Sequence, residues 1–318
     1  MRPPTFWNDR NALAGRVLAP AGWLYAQLSR PGRGRACRSS APVVCIGNVV
    51  LGGAGKTPVA LAVARRLAAA GHSPHFLSRG YGGRLHGPVR VDPAVHGAGD
   101  VGDEPLLLAR AAPAWIARNR LAGAQAVAAA GATVIVMDDG FQNGSLAKDA
   151  ALLVADGAVG YGNGRVFPAG PLREPAEAAH ARADALVVVG TITCALPNGL
   201  PRLEARLVPA PGSERLTGRA VFGFAGIGRP AKFAETLEEL GAHPVGFRAF
   251  PDHHAYRPEE AAALLEAAAA LGAVCVTTEK DAMRLPTAIR AAVETVAVDL
   301  EWRDPDGLDR LLHGKGLI

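Results

Sequence analysis

A short glycine-rich segment of this 318-residue chain carries residue types that suit a nucleotide's phosphates. Glycine lets a loop turn its backbone N–H groups toward phosphate oxygens, and a helix that follows adds the positive end of its dipole. A lysine after the glycines can reach the β- and γ-phosphates, and a neighbouring threonine hydroxyl can bind Mg²⁺. The residues predicted to bind the nucleotide here are Gly52, Gly53, Ala54, Gly55, Lys56 and Thr57.

This segment departs from the strict phosphate-loop pattern, Gly, four residues, Gly-Lys-Ser/Thr, at one position. The pattern requires glycine where the chain has Val50. A glycine-rich turn between a strand and a helix, with a chance Gly-Lys-Thr, is therefore the alternative interpretation.

A second candidate for chemistry is the pair Asp138 and Asp139, which ends the apolar run "VIVMDDG". Ligands of open α/β sheets collect at the carboxyl ends of buried strands. A strand that ends in two acids often only opens a turn. Together with the upstream loop, however, the pair indicates Mg-nucleotide chemistry.

The elements that position these residues alternate between strand and helix. Val43–Gly47 is predicted as a short buried strand, and a helix is predicted from about Thr57 to Ala70. Such alternation is typical of a parallel sheet with helices on both faces. We therefore predict an α/β fold: a P-loop NTPase-like domain over residues 41–215 and a smaller α/β domain over 216–318 that closes over the cleft.

The first 40 residues have a different character from the rest of the chain. Apolar residues recur at helical spacing and a basic cluster follows, which suits a helix lying on an anionic membrane surface. A helix packed on the core, followed by a solvated linker, is the equal alternative. The apolar positions are Leu13, Val17, Ala21, Leu24 and Leu28, and the basic ones are Arg30, Arg33, Arg35 and Arg38.

Composition excludes several classes of protein. No run is long enough for a transmembrane helix, and four cysteines without metal-ligand spacing suit a reduced, cytoplasmic chain. The net charge of +5 suggests nucleic-acid binding only weakly, because interleaved aromatics are missing, and we predict no nucleic-acid partner.

Several motifs occur together in order: "GNVVLGGAGKTP", "LSRGYGG", "GDEP", "MDDGFQ", "PAGPLREP", "FPDHHAY" and "TTEKDAMRL". In this combination the chain resembles the tetraacyldisaccharide 4′-kinases of lipid A biosynthesis. The resemblance implies transfer of the γ-phosphoryl group of ATP to the 4′-hydroxyl of an acylated glucosamine disaccharide 1-phosphate. It also implies that Val50 is no defect, since the family's loop lacks the first glycine.

The resemblance assigns further roles. Asp103 of "GDEP" would be the base for the hydroxyl, and His253 of "FPDH" would orient or tune it, although His254 is adjacent. Thr57, with Asp138 or Asp139, would hold Mg²⁺ directly or through water. Glu174 would be an outer-shell magnesium ligand, and a surface ion pair with Arg173 is the equal alternative. Gln142 would contact the Mg-nucleotide, and the predicted substrate or phosphate contacts are Arg79, Glu104, Arg120 and Arg173.

We thus predict an ATP- and Mg²⁺-dependent lipid kinase, peripheral on the cytoplasmic face of the inner membrane. No obligate protein partner is inferred. One alternative is a kinase of a soluble sugar. The other is a membrane ATPase switch, although Leu51 replaces the lysine that is typical of that class.

Overall fold

The structure, a computed structural model, describes residues 4–29 and 36–318. The strands are β1 Val43–Gly47, β2 Pro74–Ser78, β3 Val89–Arg90, β4 Ala114–Ile116, β5 Val134–Asp138, β6 Ala150–Asp156, β7 Ala185–Val189, β8 Arg202–Pro209, β9 Ala220–Ala225, β10 His243–Ala249, β11 Val274–Thr278, β12 Glu294–Val296 and β13 Val298–Trp302. The α-helices are α1 Leu13–Val17, α2 Ala19–Leu28, α3 Lys56–Ala69, α4 Ala98–Val101, α5 Asp103–Leu108, α6 Arg120–Ala129, α7 Ala176–His180, α8 Pro230–Glu239, α9 Pro258–Ala270, α10 Glu279–Ala282, α11 Thr287–Arg290 and α12 Pro305–Gly314.

A nine-stranded sheet forms the larger unit, in the order β13-β8-β7-β6-β1-β5-β2-β4-β3. All neighbouring strands are parallel except the two edge strands β13 and β3. Successive side chains of β1 enter opposite cores: Val44 packs on the side of α3, and Cys45 packs on the side of α6. The sheet therefore has helices on both faces, as the sequence predicts.

Strand β1 lies at the centre of this sheet, between β5 and β6. The chain continues from β1 toward β2 on one side and, later, from β6 toward β8 on the other. The carboxyl end of β1 is thus the point where the strand order reverses, which is where open α/β sheets bind ligands.

The smaller unit is a parallel four-stranded sheet, β10-β9-β11-β12, covered by α8 on one face and α9 on the other. It ends at Val296, because β13 then pairs antiparallel with β8 and α12 packs on the large sheet. Arg66 of α3 and Asp309 of α12 form an ion pair with an Nε–Oδ1 distance of 2.6 Å. The predicted segment 216–318 is therefore divided between the two units, since the sequence carries no signal for the partner of an edge strand.

The N-terminal helices have a packed side of small residues and an exposed apolar side. Gly15, Gly22 and Ala26 are buried, and a Cβ added at Gly22 would lie 2.7 Å from the carbonyl oxygen of Val166. The exposed side chains are Leu13, Val17, Trp23, Leu24 and Leu28. Within residues 4–29 and 36–318, no helix has the length and apolar character needed to cross a bilayer.

The predicted basic cluster is described only in part. Arg30, Arg33 and Arg35 lie outside the described residues. Arg38 is described, and its Nη1 lies 3.0 Å from Oδ1 of Asp149, the residue directly before β6.

Candidate active site

The glycine-rich segment connects β1 to α3, as a phosphate-binding loop does. Gly52 and Gly55 have φ values of 121° and 87°, which only glycine adopts without strain. Val50 instead forms an antiparallel bridge to Leu172, and the N–H of Leu51 donates to the carbonyl of Pro171 at 2.7 Å. No glycine is needed at position 50, because the backbone there is paired with the "PAGPLREP" segment.

Thr57 and Asp138 meet at the carboxyl ends of β1 and β5. The hydroxyl of Thr57 donates to Asp138 Oδ2 at 3.1 Å, and the other carboxylate oxygen of Asp138 is buried without a hydrogen-bond partner. Burial raises the pKa of Asp138, and the carboxylate of Glu104 adds to this effect. An orphaned, fully buried carboxylate oxygen beside a hydroxyl is a donor set that suits a hard cation.

Asp139 faces the phosphate loop and is surrounded by positive charge. Its Oδ1 lies 3.7 Å from Lys56 Nζ and 3.2 Å from Arg173 Nη1. Burial alone would raise the pKa of Asp139, but the charges of Lys56 and Arg173 outweigh it and the pKa is lowered. Asp139 also has a φ of 53°, an unusual backbone conformation for a residue other than glycine.

Glu174 is held by a different set of contacts. Its carboxylate accepts from Gln142 Nε2 at 3.2 Å and forms a close ion pair with Arg182. Gln142 also donates to the carbonyl of Asn48 at 2.9 Å, so it connects the acidic loop to the phosphate loop. The structure thus places Glu174 with Gln142 and Arg182, and its hydrogen bonds do not reach Thr57.

Asp103 begins α5 and is buried between the two units, with a side chain only 5% exposed. His253 of the small unit lies against it, with Nδ1 at 3.2 Å from Asp103 Oδ2. His254 points elsewhere, stacking on Phe250 and contacting Glu260 at 3.0 Å. The structure therefore brings His253, and not its neighbour, to the aspartate.

Cations on the small unit control the ionisation of Asp103. Burial would raise its pKa, but the hydrogen bond from His253 and the charges of Lys280 and Arg284 outweigh burial and lower the pKa to about 2. Arg284 Nε lies 3.2 Å from Asp103 Oδ2, and Lys280 Nζ lies 3.0 Å from Glu104 Oε1. His253 has a φ of 57°, so a second strained residue lies at this site.

The remaining predicted arginines lie near the acidic pair. Arg120 is buried at the start of α6, and its Nε has no hydrogen-bond partner. Burial, together with the charge of Arg79, lowers the pKa of Arg120 to about 10. Arg79 itself is exposed. These side chains, with Arg173, make the entrance to the acidic pair positively charged, which favours an anionic ligand.

A cavity of about 210 Å³ lies between the units, above the phosphate loop. Its lining includes Lys56 and Thr57 from the loop and Phe233 from α8. A Cβ added at Gly228 would lie 3.0 Å from the backbone nitrogen of Gly53, so the small unit approaches the loop at backbone distance. A second cavity, of about 580 Å³, lies between α2 and the segment 165–182.

One family match spans the segments that carry the phosphate loop, the acidic pair and the acid–histidine pair. The family model for tetraacyldisaccharide-1-P 4′-kinase matches residues 14–316. The chain belongs to this family. The resemblance predicted from the motifs is thereby confirmed.

Individual relatives agree with the family match. The tetraacyldisaccharide 4′-kinase of Rhodospirillum centenum is 53% identical, covering 98% of this chain and 96% of that protein. The one from a Methylobacterium species, strain 4-46, is 55% identical over 94% of this chain and 93% of that protein. The crystal structure of LpxK from Aquifex aeolicus in complex with ATP superposes with a TM-score of 0.75 at 26% identity, covering 95% of this chain and 99% of that chain. These matches confirm the predicted α/β kinase fold.

One group of residues at the site has no role that the sequence predicts: Lys280, Asp281 and Arg284. The only signal was their position in "TTEKDAMRL", directly after β11, where ligand-facing side chains collect. Lys280 lies in α10, and Arg284 lies in the turn that follows this helix.

Proposed function

We propose that this chain transfers the γ-phosphoryl group of ATP to the 4′-hydroxyl of a tetraacylated glucosamine disaccharide 1-phosphate. One observation carries the proposal: the cleft between the two units is lined by Lys56 and Thr57 of the phosphate loop and by Glu104 and Asp252, the immediate chain neighbours of Asp103 and His253. Phosphoryl transfer requires little more than a phosphate cradle, a metal, a base and positive charge near the moving group. Family membership supports the same reaction.

In this proposal the phosphate loop holds the nucleotide. The backbone amides from Gly52 to Thr57 and the ammonium group of Lys56 bind the β- and γ-phosphates. Arg173 stays near the γ-phosphate through its contact with Asp139. Gln142 donates a hydrogen bond to the carbonyl of Asn48 and thereby fixes the position of the acidic loop relative to the phosphate loop.

The donor set fits a magnesium ion, because Asp138 Oδ1 is buried without a partner beside the hydroxyl of Thr57. Magnesium prefers oxygen ligands, retains several waters and needs only one or two carboxylates. When bound, it neutralises charge on the phosphates. In this arrangement Asp139 and Glu174 do not bind the magnesium ion directly. Asp139 orients Lys56, and Glu174 orients Gln142.

Asp103 is the proposed base. Its Oδ1 accepts a hydrogen bond from the N–H of Glu104 at 3.0 Å. Its Oδ2 lies 3.2 Å from His253 Nδ1 and 3.2 Å from Arg284 Nε. These contacts keep the carboxylate ionised and in one orientation. The proton of the acceptor hydroxyl moves to this carboxylate, and His253 adjusts its basicity. Contact between the units excludes water from the group being transferred.

The exposed apolar side of α1 and α2 supports attachment to a membrane surface. Leu13, Val17, Leu24 and Leu28 are each more than half exposed, which is unfavourable unless another apolar phase covers them. Trp23 lies among them and also lines the 580 Å³ cavity. We place the protein peripherally on the cytoplasmic face of the inner membrane, where a multiply acylated acceptor resides.

Transfer of label from γ-labelled ATP to the detergent-dispersed tetraacylated disaccharide 1-phosphate tests the proposal. The Asp103→Asn variant is run beside Asp100→Asn, a matched change in the preceding short helix. We expect lipid label from the wild type and from Asp100→Asn, and a loss of about 100-fold or more in Asp103→Asn. Label that persists in Asp103→Asn refutes the base assignment. ATP hydrolysis without lipid label favours the membrane switch or a soluble acceptor.

A further inference from the structure

Asp281 is a fully buried carboxylate with every oxygen engaged. It accepts from the N–H of Gly226 at 2.9 Å, from the hydroxyl of Tyr256 at 2.7 Å and from the hydroxyl of Thr278 at 2.6 Å. Its Oδ1 also pairs with Arg284 Nη2 at 2.8 Å. Four donors from the small unit therefore fix this group, and its charge is balanced by one arginine.

That arginine is almost as deeply buried, with a side chain 6% exposed. Its Nη1 donates to the carbonyl of His254 at 2.9 Å, and its Nη2 donates to the carbonyl of Gly226 at 3.0 Å. Because the guanidinium is planar, anchoring both terminal nitrogens also fixes the direction of Nε. The Nε–H of Arg284 donates to the carbonyl of Lys280 at 3.4 Å. The same nitrogen lies 3.2 Å from Asp103 Oδ2 and forms an ion pair across the cleft, with the one carboxylate of the large unit that Arg284 contacts among the described residues.

The segment 280–284 makes a second contact across the cleft. Lys280, four residues before Arg284, binds Glu104, which directly follows Asp103. Two cations of the segment 280–284 thus meet the first two residues of α5, one to one. Stabilising the small unit does not require a contact with Asp103, so the contact of Arg284 with the proposed base indicates a role at the site.

We propose that Asp281 and Arg284 are positioning residues of phosphoryl transfer: Asp281 orients Arg284, and Arg284 holds the Asp103 carboxylate in place once the two units meet. The inference rests on the proposed function, because it assumes that Asp103 acts as the base. It predicts that the base is correctly oriented only in the closed arrangement, since Arg284 and His253 both come from the small unit.

Two variants test this in the lipid-labelling assay. Arg284→Lys keeps the charge but loses the planar fork, and Arg290→Lys is the control, because Arg290 donates to the carbonyls of Met283 and Leu285 in the same segment. We expect kcat to fall about 10- to 100-fold in Arg284→Lys, as misplaced catalytic groups do, with the KM for ATP within about two-fold of the wild type. Arg290→Lys should leave kcat within about two-fold.

If Arg284→Lys does not fold, the double variant Asp281→Asn/Arg284→Gln takes its place. It removes both charges of this buried pair together, so neither is left buried without its partner. Loss of the cation beside Asp103 should move the acid limb of the kcat/KM profile to higher pH, because the base then holds its proton more tightly. A merely structural role would lower activity equally at all pH values.

Three outcomes are decisive. A folded Arg284→Lys enzyme with wild-type kcat, or a double variant with an unshifted acid limb, overturns the positioning role while the kinase assignment stands. A wild-type enzyme that labels no lipid overturns the proposed function itself. Lower kcat in the first variant and a shifted limb in the second support the proposal.

Discussion

Replacing Leu24 and Leu28 with glutamine tests whether the exposed side of α2 binds membranes. The two side chains are 53% and 78% exposed, so together they offer little more than one leucine side chain to a bilayer. Burying a leucine contributes about 2 kcal/mol, so we expect the double variant to lose about 2 to 3 kcal/mol of membrane affinity. This corresponds to a partition coefficient about 30- to 150-fold lower.

Sedimentation with vesicles that contain anionic lipid measures this partitioning. Val95→Gln is the matched control, because Val95 is 74% exposed but belongs to the loop after β3. The melting temperature of the Leu24/Leu28 variant should stay within a few degrees of the wild type, since these side chains are already exposed in the folded state. Unchanged vesicle binding, or an equal loss in Val95→Gln, would refute the membrane-facing role of α2.

Asp103→Asn should make the free energy of unfolding less dependent on pH at acid pH. The pKa of Asp103 is lowered from 3.8 to about 2, so its contribution of about 2 kcal/mol is present above about pH 4 and is lost as the pH falls toward 2; urea unfolding at both pH values, in wild type and variant, measures the difference. Asp138→Asn should melt no lower than the wild type at pH 8 without ligand, because burial raises the pKa of Asp138 and its ionised form opposes folding. Lipid labelling by Asp138→Asn should nevertheless fall about 100-fold or more, and a variant that melts well below the wild type contradicts this reasoning. Gly47→Ala should cost about 1 to 3 kcal/mol in urea unfolding, because the new Cβ would lie 2.4 Å from the Cβ of Phe141. Gly99→Ala, where nothing lies within 4 Å, is its control, and equal losses would argue against the overpacking mechanism.

Features that depend on neighbouring residues could be predicted from the sequence. The helix after the phosphate loop was expected from about Thr57 to Ala70 and spans Lys56–Ala69, because apolar periodicity and a terminal glycine set its length. The acidic pair was expected at a strand end, and Asp138 is the last residue of β5. The parallel sheet followed from the alternation of strands and helices.

Contacts between distant segments required the tertiary structure. The pairing of Val50 with Leu172 explains the missing glycine, but nothing near Val50 in the sequence indicates that partner. The pairing of β13 with β8 in the large sheet could not be predicted for the same reason, because the sequence of an edge strand does not indicate which strand it pairs with.

The candidate site shows the same division. Local sequence patterns place these residue types at strand and helix ends, and the motif resemblance selects Asp103 and His253 among them. Their partners follow from the packing of distant segments, because His253 lies 150 residues from Asp103 and Lys280 lies 176 residues from Glu104. Local propensities act over a few residues, whereas the ionisation and orientation of the base depend on charges that the packing of two units brings together.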